Sequence, residues 1–229
     1  MEKKMKVEIW SDMMCPFCYI GKRKFESALN SLPQKDSVEV VWHSFQLNPN
    51  LKAQPEQDSY SYLAELKGQS REWSVNMHDN LTKAAKIVGL EYNFGRAKIS
   101  NSFDAHRLVQ LAKKHKLTDE LEECFFKAYF TDGELLSDRD SLIRLASEAG
   151  LPKDEIIGVL DSDQYAEEVR RDIQEARQLG VTGVPFFVLD RKFAVSGAQD
   201  VSVFTDSLQK AMDGWNKNNQ AIQSEAIND

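Results

Sequence analysis

The sequence predicts an α/β protein: a small mixed sheet flanked by helices and interrupted by a large all-helical insertion. Three observations carry this. Strand-like alternation brackets one amphipathic helix near the start. Helical periodicity alone fills the middle. Strand patterns then return in "VPFFVLD" and "KFAVSG" before a closing helix.

Residues 6–11, "KVEIWS", alternate polar and apolar, and "VEVVWHSF" at 38–45 is rich in β-branched and aromatic residues. Between them Cys18, Phe25, Ala28, Leu29 and Leu32 mark one buried helical face. Pro16 sits where a first helical turn tolerates a missing N–H. The unit reads β-α-β, with the right-handed crossover that parallel strands need. Four further stripes follow. Trp73, Met77, Leu81, Ala84 and Val88 form one; Phe103, Leu108, Leu111 and Ala112 form a second, with Ser102 as cap. Leu121, Cys124, Phe125, Ala128 and Tyr129 form a third, capped by Thr118, and Leu142, Leu145, Ala146 and Ala149 a fourth, ended by Gly150. Val169, Ile173 and Ala176 mark a last helix before Gly180, so residues 56–177 read as helix and turn. Asp190 and Arg191 can form a tight turn between the returning strands, and Val201, Phe204, Leu208 and Met212 face inward on the closing helix. The expected division is 1–55 with 178–215 as one discontinuous domain, 56–177 as the insertion, and 216–229 as a disordered polar tail.

The chain has 229 residues, 41% of them hydrophobic, enough for a substantial core. Its net charge of -7 argues against a sequence-independent hold on nucleic acid or anionic lipid. No segment approaches the roughly 18 uninterrupted apolar residues of a membrane span. The charged start, with no signal-peptide pattern, leads us to expect a cytoplasmic protein. Three cysteines make a poor secreted disulfide framework.

The cysteines hold the chemistry. In "SDMMCPFCYIG", Cys15 stands at or just before a helix start, where free amides and the dipole favour thiolate over thiol. Cys18 returns to the same face one turn later, within the Cα separation of about 4.4–6.8 Å that a disulfide tolerates. Cys15, exposed and activated, would attack; Cys18, more buried, would resolve the mixed disulfide. A structural zinc site would need a second close pair, which the sequence lacks, so no metal is expected. Cys124 lies on a helical stripe and reads as a small core residue.

With this pair and "GVTGVPFFV" at 180–188 both in view, the chain resembles the DsbA family of thioredoxin-fold proteins, and within it the FrnE-like branch. "WSDMMCPFCYIG", "SFDAHRL" at 102–108 and "KAYF" at 127–130 carry the likeness, which runs from about residue 6 to 212. The resemblance implies a thioredoxin fold split by a helical insertion. It implies that Pro185 is cis beside the sulfurs and that the Val184 backbone pairs with an extended substrate, with Gly183 permitting close approach. Pro16 and Phe17 would support the site. Sequence statistics alone would make Val184–Pro185 trans. Phe17 stands where this branch is associated with tryptophan.

Phe17, Phe45, Leu47 and Phe186 can form an apolar rim around Cys15, and His106 can face the cleft between sheet and insertion, although a packed histidine is the plainer reading. Lys22 and Arg23 can help the thiolate and Asp12 oppose it. Arg107, Lys113, Lys114 and Lys116 read as a solvated helix face. The function expected is thiol–disulfide exchange on protein or small thiols, with no resident cofactor and with glutathione as a possible co-substrate. A dimer is possible. Two alternatives stand beside it: a glutathione-dependent isomerase or transferase of the 2-hydroxychromene-2-carboxylate isomerase or kappa-class type, which needs no resolving thiol, and a non-catalytic chaperone or interaction module.

Overall fold

The computed structural model describes residues 3–52 and 54–225. Strand β1 (Met5–Ser11) runs into helix α1 (Pro16–Ser31), which crosses over to β2 (Val38–Ser44). The two strands pair in parallel from Met5 opposite Val38 to Ser11 opposite Ser44. At the other end of the chain, β5 (Phe186–Leu189) pairs antiparallel with β1, and β6 (Phe193–Ser196) pairs antiparallel with β5. The sheet order is therefore β2-β1-β5-β6, with the first strand at its centre. Asp190 and Arg191 make the connecting turn with φ of 50° and 54°, the left-handed pair that matches strand twist, and Lys192 N–H closes it on Leu189 O at 3.0 Å.

Alternation along β1 divides the core in two. Met5, Val7 and Ile9 face α1 and the closing helix α9 (Val201–Glu225), where Phe187 packs against Phe25 at 5.4 Å and Phe204 at 4.7 Å. Trp10 faces the other way. It is fully buried with Cys15, Cys18, Leu108 and Phe125 in the larger cluster that the inserted helices build. Those helices are α2 (Ser59–Lys67), α3 (Arg71–Ile87), α4 (Phe103–His115), α5 (Thr118–Lys127), α6 (Arg139–Glu148), α7 (Lys153–Leu160) and α8 (Ala166–Gln178).

Several expectations need correction. The stretch read as helix and turn contains a two-stranded ribbon, β3 (Gln54–Asp58) with β4 (Lys98–Ile99), too short and polar to show alternation. Helices α2 and α7 carried no clear stripe; Asp58 caps α2 by accepting from Tyr60 and Ser61 N–H. The buried face of α3 is Ser74, His78, Leu81 and Ala85, rotated from the Trp73–Met77 stripe. His78 wins that place because its ring fits edge-on between Tyr60 and Phe94, while its Nδ1 bonds Ser74 O at 2.8 Å. Thr118 does not cap α5, and Ser102 makes no side-chain cap; Asn101 Oδ1 instead accepts Phe103 N–H at 2.9 Å. Arg107 is not on a solvated face. It is 5% exposed and donates to Gln164 O at 2.9 Å and to the carbonyls of Val159 and Ser162, closing the end of α7. The tail expected to be disordered is helical as far as Glu225, since nothing after Gly214 breaks a helix; residues 226–229 lie outside the described residues.

Candidate redox site

The loop between β1 and α1 is set by Asp12. Its carboxylate accepts Met14 N–H at 3.1 Å and, from the neighbouring strand's exit, Leu47 N–H at 2.8 Å, while its own carbonyl accepts Cys15 N–H at 2.9 Å. Cys15 is the Ncap of α1, with Pro16 first in the helix. The amides of Phe17 and Cys18 are thus the ones an Ncap side chain can receive.

Both thiols are free, and they lie side by side, close enough to hydrogen-bond. Burial pushes the Cys18 thiol up first. The hydrogen bond and charge of Cys15 add to this, against the Asp12 backbone and the Ser11 hydroxyl. Cys18 is therefore held as a thiol until a neighbour draws its proton. Cys15 Sγ donates to Val184 O at 3.3 Å. The Val184–Pro185 peptide is cis.

One expectation about this pair fails: Cys15 is 3% exposed, not open. Met14, Phe45 and Phe186 pack on its cluster, half-buried, and leave Phe17 at 45% and Leu47 at 50% exposed as the apolar rim that solvent meets. Around Gly183 the described residues leave open space. The close approach within the chain is at Gly21 on α1, which abuts Pro185. His106 does not face a cleft. It is 0% exposed, its Nε2 stands 3.6 Å from Asp12 Oδ1, and neither ring nitrogen has a hydrogen-bond partner among the described residues. Nearby Glu122 is 1% exposed and has an oxygen unpartnered. Burial raises its carboxyl to about 7, against the pull of His106 and Lys22.

The cations near α1 are already committed. Lys22, 2% exposed, pairs with Glu26, Asp119 and Glu123; Arg23 pairs with Glu26 and Glu123. They tie α1 to α5 instead of serving a sulfur. Cys124 is half-buried, donates to Leu145 O at 3.4 Å, and burial pushes its thiol up to about 11.

Sequence reasoning missed two features. Tyr92 donates its hydroxyl to Pro16 O at 2.6 Å, from a segment far along the chain. His43 stacks on Trp10 at 4.4 Å and bonds Asp172 at 2.9 Å and Glu8 at 3.3 Å, joining α8 to the sheet. His43, Asp172 and Glu175 bring ligand atoms within 4.8 Å of one another, but Lys113 sits 3.5 Å from Asp172 and Arg191 2.7 Å from Glu175, so the carboxylates already have cations.

A sequence model of the DSBA-like thioredoxin domain matches residues 6–209, nearly the whole of the fold just described. The chain belongs to that family. This DSBA-like protein is 43% identical to a probable DsbA oxidoreductase from Streptomyces coelicolor whose crystal structure superposes with a TM-score of 0.86, covering 91% of this chain and 90% of that one. It is 28% identical over 207 residues to YwbO of Bacillus subtilis, an uncharacterized protein, spanning 88% of this chain and 94% of the relative. The cytosolic disulfide reductase DsbM from Pseudomonas aeruginosa, in a structure with GSH, shares the fold at 16% identity and a TM-score of 0.61, covering 94% of this chain and 99% of that chain. The DSBA-like frame is thus a thioredoxin fold carrying its helical insertion, and its kind is a thiol oxidoreductase. No helix among the described residues is long and apolar enough to cross a membrane.

Proposed function

We propose that this DSBA-like protein exchanges disulfides through Cys15 as nucleophile and Cys18 as resolving thiol, on protein thiols or small thiols with glutathione among them. One observation supports it above the rest: Cys15 stands at the Ncap position of α1 with Cys18 one turn on, and its sulfur, making no cap bond as a thiol, addresses the carbonyl of Val184 beside Pro185.

The chemistry balances as follows. The Cys15 thiolate attacks one sulfur of a substrate disulfide, forming a mixed disulfide and expelling the other sulfur as a thiolate. Cys18 loses its proton and attacks Cys15, closing the Cys15–Cys18 bond and releasing the second substrate thiol. The protein is oxidised and the substrate reduced by two electrons; the reverse sequence oxidises a dithiol. The helix amides stabilise the Cys15 anion that both directions pass through. Val184 O, now occupied by the thiol, becomes available to an incoming backbone N–H when Cys15 ionises and turns to its cap, which is strand addition of a substrate segment. Phe17 and Leu47 would meet its apolar side chains. The FrnE-like placement, the division at residues 56–177 and a cytoplasmic setting belong to the same reading. The odd cysteine count supports that last point.

The test is Cys18→Ser. It is expected to trap mixed disulfides when treated with glutathione disulfide or with a disulfide-bearing client, visible as discrete mass additions on Cys15. Cys15→Ser is expected to abolish exchange; full activity in that variant would refute the assignment.

A further inference from the structure

Tyr92 lies between α3 and β4, remote in sequence from the redox loop, yet its hydroxyl ends on the Pro16 carbonyl at 2.6 Å. Its ring is 6% exposed and held on several sides: stacked on Phe130 at 4.7 Å and on Tyr19 at 6.2 Å, with Phe94 edge-on at 5.4 Å. The backbone beside it is pinned as well, Asn93 N–H donating to Phe130 O at 2.7 Å. So confined, the ring delivers its hydroxyl to a fixed point. Packing does not explain the hydroxyl. Phenylalanine would fill the same aromatic pocket without the cost of drying an O–H. The Pro16 carbonyl, one step after that of the Ncap residue Cys15, already belongs to the hydrogen-bond ladder of α1 and has no need of a second donor.

The chemistry lies in what that carbonyl belongs to. Pro16 C=O and Phe17 N–H are the two ends of one peptide unit, and Phe17 N–H occupies the second helical position, one of the two amides that an Ncap side chain receives. A donor on the carbonyl end polarises the unit and strengthens its N–H end. We propose that Tyr92 is a positioning residue of the redox site, set by the helical insertion against the Pro16–Phe17 peptide so that this amide holds the Cys15 thiolate more tightly. The inference rests on the thiol–disulfide reading above. Burial, and next the charges of Cys15 and Cys18, push the Tyr92 phenol up, so it is a donor at neutral pH.

The experiment is an equilibrium in which reduced protein and glutathione disulfide give protein disulfide and two molecules of glutathione, run beside a pH titration of the thiolate's ultraviolet absorbance. Tyr92→Phe keeps the ring and removes only the hydroxyl. It is expected to titrate at higher pH and to shift the equilibrium about twofold toward protein disulfide, because the reduced form loses anion stabilisation. Replacing Tyr92 with 3-fluorotyrosine, a stronger donor, is expected to move both readings the opposite way, an outcome no purely structural strut would give. If Tyr92→Phe melts earlier but leaves titration and equilibrium where they were, the inference is overturned and the hydroxyl only braces the loop. If the wild-type protein never equilibrates with glutathione, the exchange reading itself fails first, and that failure is seen without any Tyr92 variant.

Discussion

A Cβ placed on Gly21 would lie 2.8 Å from Cγ of Pro185. Helix α1 and the loop carrying Pro185 meet so closely that any side chain there must push one away from the other. Gly21→Ala should gain about 1 kcal/mol in helix propensity and lose about 1–3 to overpacking, for a net loss near ~1 kcal/mol in urea unfolding. Exchange should fall further than stability does, by about tenfold, because the push displaces Pro185 from the sulfurs. Gly214→Ala on α9, with no atom within 4 Å, is the matched control and should be stabilising by about 0.5–1 kcal/mol. Equal effects from the two would show that the approach at Pro185 has no functional weight.

Glu122 gives the protein a pH dependence of defined sign. Its carboxyl is raised by burial from 4.5 to about 7, with Asp119 of its own helix and Asp12 of the redox loop adding, and His106 of α4 and Lys22 of α1 opposing. A raised folded-state value means that stability is complete below about pH 4.5 and declines as pH climbs through about 7. The loss attached to this group is about 3 kcal/mol. Glu122→Gln should flatten the decline and leave the variant more stable than wild type at pH above 7. Urea midpoints across that range decide it, and an unchanged slope would assign the pH dependence elsewhere.

Asp172 works in the opposite direction and in a separate window. Burial alone would raise it, but the His43 hydrogen bond, the Lys113 and His43 charges and Ser44 N–H hold it at about 2. Its contribution, about 2 kcal/mol, is present above pH ~3.8 and is lost as pH falls toward 2. Asp172→Asn should destabilise by about 3 kcal/mol, since it strands buried partners. The amides of α8 should then lose hydrogen-exchange protection before those of α9. Uniform loss across both helices would argue against a local clasp.

Alkylation should rank the cysteines. Cys18 is pushed up by burial and Cys124 to about 11, so limited iodoacetamide at neutral pH should mark Cys15 first in a peptide map. Early marking of Cys124 would mean that α5 opens more readily than its packing implies.

The strands and the cysteine-bearing helix were legible because period-2 and 3.6-residue patterns are local properties of Met5–Ser11, Val38–Ser44 and Pro16–Ser31. The site pair was legible because its spacing closes within one turn. What escaped depends on distant partners. His106 looked available to a cleft, but its helix turns it inward toward Asp12. Arg107 looked solvated, but the carbonyls it serves belong to the end of α7 and the turn after it, some fifty residues on. Tyr92 carried no local sign, since only the fold brings it to Pro16. The burial of Cys15 is of the same kind: Val184, 169 residues further along the chain, meets its sulfur, and the inserted helices complete the cluster it sits in.

Helix α1 belongs to both halves of the interior, with Cys18, Tyr19 and Ile20 in the cluster of the inserted helices and Phe25 and Ala28 in the one beneath α9. A segment shared in this way leaves neither half able to melt alone: losing one strips the other of its wall. The molecule should give a single calorimetric transition with matching calorimetric and van't Hoff enthalpies. Oxidation of the thiols, by stiffening the first turn of that shared helix, should then move the melting of the whole chain rather than of the sulfur loop alone.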